Sequence, residues 1–315
     1  FIRNHFDSKK ALGISFFTAL LFAIHPVQVE TVCWISASKI VLSTFFYLSA
    51  LICYIQYMRN SKWQYLLASV VSSILAMGCK EQSVIIVPCL LLFDWMLFKR
   101  NMRSLKVYIE KVYYLIPAIA IFIVTLVANK NTGEEIIGYT IVDRFIFLCY
   151  SSFKYLLISA IPFKLSYLYP FPFQVGEKIP MALWIYPFVI LFIGYVIYLN
   201  RRKPLLVFCT LFFILHLLPV LHVIPLPRYV VAADRYLYIP YIAFAIGLSI
   251  LSYHLYERQR KWILYAGFLY CSYLCVYTAG YAPAWKNSDT LKEHFKEVLK
   301  KRETNLSINF KHEKQ

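Results

Sequence analysis

Met181-Ala-Leu-Trp-Ile-Tyr-Pro-Phe-Val-Ile-Leu-Phe-Ile-Gly-Tyr-Val-Ile-Tyr-Leu199 is followed by Asn200-Arg201-Arg202-Lys203 and then by Pro204-Leu-Leu-Val-Phe-Cys-Thr-Leu-Phe-Phe-Ile-Leu-His-Leu-Leu218. Two apolar runs without a single acid, Lys or Arg flank a short basic turn. At ~1.5 Å of rise per residue, a helix of ~17–25 such residues crosses a hydrocarbon core of roughly 30 Å. A water-soluble chain has no place for two such surfaces in succession.

Runs of the same kind recur outward in both directions, over 11–27, 40–58, 63–79, 82–98, 112–129, 237–256 and 262–281. With the quoted pair they make about nine crossings by length and apolarity. The composition agrees: 60% of the residues are hydrophobic and 18% aromatic, where soluble domains hold roughly 45–50% apolar residues. The sequence therefore predicts an all-α, polytopic membrane protein. Its net charge of +17 would suggest a nucleic-acid partner in a soluble chain. Here it reads as topology, and no nucleic acid is expected.

Short loops carrying Arg59 and Lys62, Lys99, Arg100, Arg103, Lys106 and Lys111, Arg201 to Lys203, and Arg258, Arg260 and Lys261 are cytoplasmic under the positive-inside rule. Segment 144–162 lies between two of these loops, and a crossing there would break their parity. It carries Ser151, Ser152 and Lys154, and reads as an interfacial or shallow re-entrant helix, the alternative being a tenth span. The outer side then receives 25–39, the turn at 79–82, 130–180, 222–236 and the tail.

The polar residues that need a reason gather on that outer side. His25 and Glu30 flank Pro26, which must break the first helix because it lacks an N–H. An ionisable group at a membrane margin needs a partner or a ligand. A His25–Glu30 or Glu30–Lys39 pair is the structural alternative to a functional role. Lys80 and Glu81 form a tight turn, in which Lys80 offers a point charge to a phosphate or is simply neutralised by Glu81. Asp234 and Arg235 open an apolar span. An Asp there caps a helix, but an Arg opposes the helix dipole, and its planar fork suits a phosphate. Arg228 lies just before them. Tyr169, in Tyr167-Leu-Tyr169-Pro170-Phe-Pro172-Phe, reads as an interfacial aromatic belt, or as a wall for a lipid tail or a sugar, and Tyr236 joins Asp234 and Arg235 as a candidate for the lipid-phosphate site. Lys39, Lys80, Lys130, Arg144, Lys154, Lys164, Lys178, Arg228 and Arg235 all sit outside against the positive-inside bias, which points to an anion, most simply a lipid phosphate.

Other chemistry is not signalled. The cysteines have no disulfide or zinc spacing, and no metal or tightly held cofactor is expected. Nucleotide-loop, nucleophile-elbow and zinc-protease motifs do not occur, nor does an internal repeat.

The runs Leu21-Phe-Ala-Ile-His25-Pro-Val-Gln-Val-Glu30-Thr-Val-Cys-Trp34, Cys79-Lys80-Glu81, Tyr167-Leu-Tyr169-Pro170, Ala233-Asp234-Arg235-Tyr236-Leu-Tyr-Ile-Pro240 and Trp285-Lys-Asn-Ser288-Asp289 resemble the membrane domain of the transmembrane and tetratricopeptide-repeat (TMTC) proteins and their bacterial relatives. The resemblance runs from about residue 11 to 299. It implies a GT-C-type transmembrane helix bundle over 1–282 and protein O-mannosyltransferase-like chemistry. A sugar would pass from a polyprenyl or dolichyl phosphate to a protein hydroxyl at the outer or lumenal face, with membrane lipids and an acceptor protein as partners. It also implies departures. The family's first span and the outer loop with its catalytic Asp would precede Phe1, so the chain reads as N-terminally truncated. Its catalytic residue is then unknown, with Glu30 a possible helper. Gln28 stands where the family has a second His, and Ser38-Lys39-Ile40 where it has a basic-basic-acidic triplet. Residues 283–315 form a basic tail on the outer face, read as the start of a repeat region. Adding two upstream spans gives eleven. The setting is a bacterial inner membrane, or the endoplasmic reticulum in a eukaryote. A non-catalytic scaffold and, less readily, a transporter are the rival classes. Asp94, near Lys99 and Arg100, is the deeply placed acid.

Overall fold

The computed structural model describes residues 6–128, 138–166, 168–222, 230–258 and 260–296. Its helices are α1 (Ser8–Ile24), α2 (Val29–Cys33), α3 (Ser38–Asn60), α4 (Trp63–Cys79), α5 (Ile86–Met96), α6 (Leu105–Ala128), α7 (Ile141–Ala160), α8 (Ile185–Leu199), α9 (Pro204–Leu217), α10 (Pro240–Arg258) and α11 (Arg260–Tyr281), joined in part by short 3-10 turns. No strand occurs among the described residues. A single antiparallel bridge links Tyr169 and Ala232.

Four helical stretches are long and apolar enough to cross a membrane: Ile35–Asn60, Leu105–Ala128, Met181–Leu199 and Lys261–Trp285. A fifth is obtained if Ser8–Ile24 and Pro26–Cys33, bent by 55°, count as one broken span. These helices mark the chain as a membrane protein. Every segment read as a span is helical, yet fewer reach spanning length than the about nine expected from apolar runs. The shortfall has local causes. In the 82–98 segment, Glu81–Ile85 winds as a 3-10 turn, and α5 keeps only 11 residues. Trp63–Cys79 and Pro204–Val220 are apolar but short.

The bundle is built inside out relative to a soluble domain. α8 has no buried residue, and Phe188, Leu191, Phe268 and Val276 stand about 70% exposed or more (69%, 69%, 71% and 74%). Such outward apolar surface has a lipid solvent as its physical counterpart. The centre is tyrosine-rich: Tyr47, Tyr54, Tyr114, Tyr155, Tyr169 and Tyr241 are fully or almost fully buried. Each brings a hydroxyl that must find a partner in the interior. α3 and α4 form the closest hairpin, and α10 lies between α1 and α9.

Two ends of this bundle carry buried charge. α3 leads from one to the other. Ser38 lies at the His25 end and Tyr54 in the Asp94 cluster, sixteen residues or about 24 Å further along the helix.

Candidate functional site

At the His25 end the first helix stops as the sequence requires. Pro26 ends α1, His25 turns extended, and its Nδ1 accepts the Val27 N–H at 3.3 Å. The Ile24 carbonyl left without an intrahelical donor accepts from Thr278 Oγ1 at 2.7 Å, so α11 ties off α1. His25 is fully buried, with its ring 4.3 Å from that of Tyr241.

α2 then delivers Glu30, also fully buried, to the turn Asp234–Leu237. Glu30 Oε2 accepts the backbone N–H of Arg235 at 2.9 Å, and Oε1 accepts from Arg235 Nη1 at 2.5 Å. The residue before that turn, Ala233, has no capping side chain. Glu30 supplies the cap from 205 positions away while neutralising the guanidinium. Glu30 thus pairs with neither His25 nor Lys39, the two pairings the sequence offered. Arg235 is not left as a free cation either. Its side chain remains 18% exposed, with the guanidinium 5.1 Å from the ring of Tyr236 and 5.5 Å from that of Trp34.

Asp234 sits beside this pair and is fully buried. Its Oδ1 accepts the Tyr169 hydroxyl at 2.8 Å, and its Oδ2 makes no hydrogen bond among the described residues. Burial, and then the neighbouring Glu30 charge, push its carboxyl well above the usual range. Two acids therefore stand together in unlike surroundings, Glu30 bonded to an arginine and Asp234 favoured in its neutral form. Acid and base roles are divided in this way in many active sites.

Tyr169 is 2% exposed and belongs to no interfacial belt. Its carbonyl accepts the Val231 N–H at 2.9 Å, its hydroxyl accepts the Ser166 N–H at 3.1 Å, and Lys154 Nζ lies 3.8 Å from its ring centre. α7 adds Tyr155, whose hydroxyl accepts the Ala233 N–H at 3.3 Å.

The irregular chain that carries Tyr169 is held by a row of tyrosines on α11. The Tyr270 hydroxyl donates to the Ala160 carbonyl at 2.8 Å, that of Tyr273 donates to the Pro162 carbonyl, and that of Tyr277 accepts the Leu165 N–H at 3.1 Å. Spacings of three and four place these rings on one helix face. Tyr270 lies eleven residues before Tyr281, so the end of α7 sits about 16 Å along α11 from its last turn. Non-helical backbone at such a depth needs protein partners for its polar groups. The tyrosine row provides them and fixes where Tyr169 meets Asp234. Sequence reading missed this row, although its three-and-four spacing was visible.

Polar groups without a partner in hydrogen-bonding geometry cluster at this end. They include His25 Nε2, the Gln28 amide, Thr31 Oγ1, Ser166 Oγ, Asp234 Oδ2, the Tyr241 and Tyr281 hydroxyls and Trp285 Nε1. His25 Nε2 is turned toward the Ser159 backbone, and Tyr281 toward Trp285, without reaching bonding geometry. Each such group costs roughly 1–3 kcal/mol while it stays unmet.

The remaining sequence candidates lie apart. Lys80 Nζ is 3.5 Å from Glu81 Oε1, the mutual neutralisation weighed from sequence, and Lys39 is exposed at the start of α3. Among the described residues, no hydrogen bond or ion pair joins Lys39, Lys80 or Glu81 to Arg235. Arg228 falls outside the described residues. No group of three or more His, Cys, Asp or Glu able to hold a metal is found among the described residues.

At the opposite end, Asp94 accepts from the Tyr54 hydroxyl at 2.6 Å and faces Lys111 Nζ at 2.6 Å. Arg100 bridges to Glu110 by two bonds, of 2.5 and 3.1 Å, and to Asp94 at 3.4 Å. No side-chain atom of this set is buried without a partner.

Comparison of the chain with protein-family models, with curated proteins and with solved structures returned no match.

Proposed function

We propose that the chain is the membrane part of a glycosyltransferase that takes a sugar from a polyprenyl phosphate and passes it to a protein hydroxyl. The reaction would occur at the membrane face toward which His25, Glu30, Asp234 and Arg235 turn. The observation that carries the reading is the buried Glu30–Arg235 and Asp234–Tyr169 pairing, set among polar groups that make no hydrogen bond among the described residues. A cluster of this kind at a membrane margin calls for a ligand.

In the reaction, a base removes the proton of the acceptor hydroxyl. The oxygen then attacks the anomeric carbon, and the bond from that carbon to the phosphate oxygen breaks, with inversion. The leaving phosphate needs a cation at that moment. Arg235 can supply it because an arginine fork has more donors than Glu30 uses. Glu30, bonded to the Arg235 guanidinium, is the buried acid at hand to take the proton. Lys80 and Lys39 belong to the wider basic rim that would draw an anionic headgroup to this face. Nine crossings with the basic loops cytoplasmic, in a GT-C-type bundle, form part of the same proposal. They place the site on the periplasmic or lumenal side.

Glu30 already answers the charge of Arg235, and this favours a second reading, a non-catalytic scaffold of the same architecture. One assay separates the two. Membranes containing the full-length protein are given a radiolabelled polyprenyl-phosphate mannose and a Ser/Thr-rich acceptor peptide. The enzyme reading expects labelled peptide from wild type and at least a hundredfold less from Arg235→Ala, by roughly 3 kcal/mol of lost transition-state stabilisation. Equal labelling by the two proteins, or none by either, removes it.

A further inference from the structure

A groove of about 590 Å³ runs between α1, α10 and α11, with Ala160 of α7 in its lining. Its size is that of a ligand site, roughly 300–1,000 Å³, and its lining is almost wholly apolar. Gly13 and Gly267 make part of the room, since a Cβ at either would meet nothing within 4 Å. On α1 the lining runs from Gly13 to Leu20, and on α10 from Phe244 to Tyr256. The second of these intervals is twelve residues, or about 18 Å, close to the ~15 Å of hydrocarbon in one leaflet.

The two ends of the groove differ. Toward Ala160 and Phe244 it is mostly apolar, the Tyr270 hydroxyl there being taken up by the Ala160 carbonyl. Toward Gly13 and Tyr256 it acquires Ser252 and Tyr253 and opens beside the α1 start and the α10–α11 turn. Lys10 joins Glu257 there at 3.1 Å, fastening α1 to α10. Lys9, Arg258 and Lys261 stand exposed at the same end, and Asp7 and Glu257 are the acids near them. The local balance is therefore basic after the Lys10–Glu257 pair is set aside.

We infer that this groove is a binding site for an anionic phospholipid, with one acyl chain lying between α1, α10 and α11 and the phosphate headgroup at Lys9, Arg258 and Lys261. The depth matches a single leaflet, and the charge at the mouth matches an anionic headgroup. The site lies toward the opposite end of α1 and α10 from Glu30 and Arg235, and does not depend on the glycosyltransfer reading.

The test uses the purified full chain in nanodiscs of mixed phosphatidylglycerol and phosphatidylcholine, with retained lipid counted by native mass spectrometry. Wild type should retain phosphatidylglycerol in preference. Gly13→Leu with Gly267→Leu, whose Cβ atoms would meet nothing within 4 Å, should fill the groove and abolish that retention. Lys9→Gln with Lys261→Gln should keep a lipid but lower the preference by about five-fold per charge, and this arm stands even if the filled variant folds poorly. Equal retention of the two lipids by wild type, an unaltered preference in the charge variant, or displacement of phosphatidylglycerol by a polyprenyl phosphate would overturn the inference.

Discussion

The two buried charge clusters use similar residues to opposite effect. Around Asp94 two acids meet two bases and a tyrosine, and each carboxylate oxygen of Asp94 has a donor within 2.6 Å. Around Asp234 two acids again meet an arginine and a nearby lysine, yet Asp234 Oδ2 and a group of neighbouring polar atoms stay without partners. A membrane interior penalises both kinds of burial, so a closed network is what stability alone would select. The Asp94 cluster ties α3, α5 and α6 together. The Asp234 cluster forgoes part of that stabilisation, which is the behaviour of a site shaped for something else.

If this contrast holds, substitutions at the two ends should separate stability from activity. The largest effect on stability is expected at the closed end. Asp94→Ala leaves Lys111, 3.8 Å from Glu110 and 4% exposed, without its close partner, and should destabilise the protein by about 3–5 kcal/mol, measured as unfolding in detergent. A loss under 1 kcal/mol would mean that water reaches this cluster.

Glu30→Ala should come next, at roughly 2 kcal/mol, because it removes both the cap of the 234–237 turn and the partner of a guanidinium still 18% exposed. Tyr169→Phe is smaller, at about 1 kcal/mol, since it deletes one neutral hydroxyl while leaving Asp234 without its Oδ1 donor. Either variant matching Asp94→Ala would erase the distinction between the ends.

A pH series sharpens the comparison further. The folded carboxyl of Asp234 is raised, so its contribution to stability is complete below the usual carboxyl value of about 4 and declines as pH rises through its folded value. Asp234→Asn cannot ionise and should lack that decline. Parallel pH profiles for wild type and variant would show that Asp234 ionises as freely in the fold as out of it. The smallest effects belong to the unpartnered groups. Thr31→Val and Trp285→Phe remove polar atoms that make no bond and should leave stability within about 0.5 kcal/mol or raise it. The same changes at a ligand site should still reduce transfer.

What the sequence made legible was local. Apolar runs and the Pro26 break are properties of neighbouring residues, and each reappears as a helix or a helix end. The shortening of α5 was not legible: the 3-10 turn that precedes it holds Ser83 2.7 Å from Ser43 of α3, a contact between residues 40 positions apart. Glu30, Asp234 and Arg235 were each picked out as residues in need of a reason, but their pairing spans 205 positions and leaves no periodic trace. Of the two sequence readings of Tyr169, a belt or a wall for a lipid tail or sugar, the belt is excluded by its burial, which was not legible for the same cause. An aromatic in a Pro-rich loop suggests an interface until Val231 and Asp234 are seen to hold it inside.

The most direct test of the account is the affinity of the protein, reconstituted in nanodiscs, for a short-chain polyprenyl-phosphate mannose, compared between wild type and Arg235→Ala. The expected result is a loss of at least tenfold in affinity, about 1.4 kcal/mol, read on the folded fraction of each protein. Equal affinity in the two proteins would contradict a lipid-phosphate site at Arg235 and leave the Asp234 cluster without the ligand it is proposed to hold.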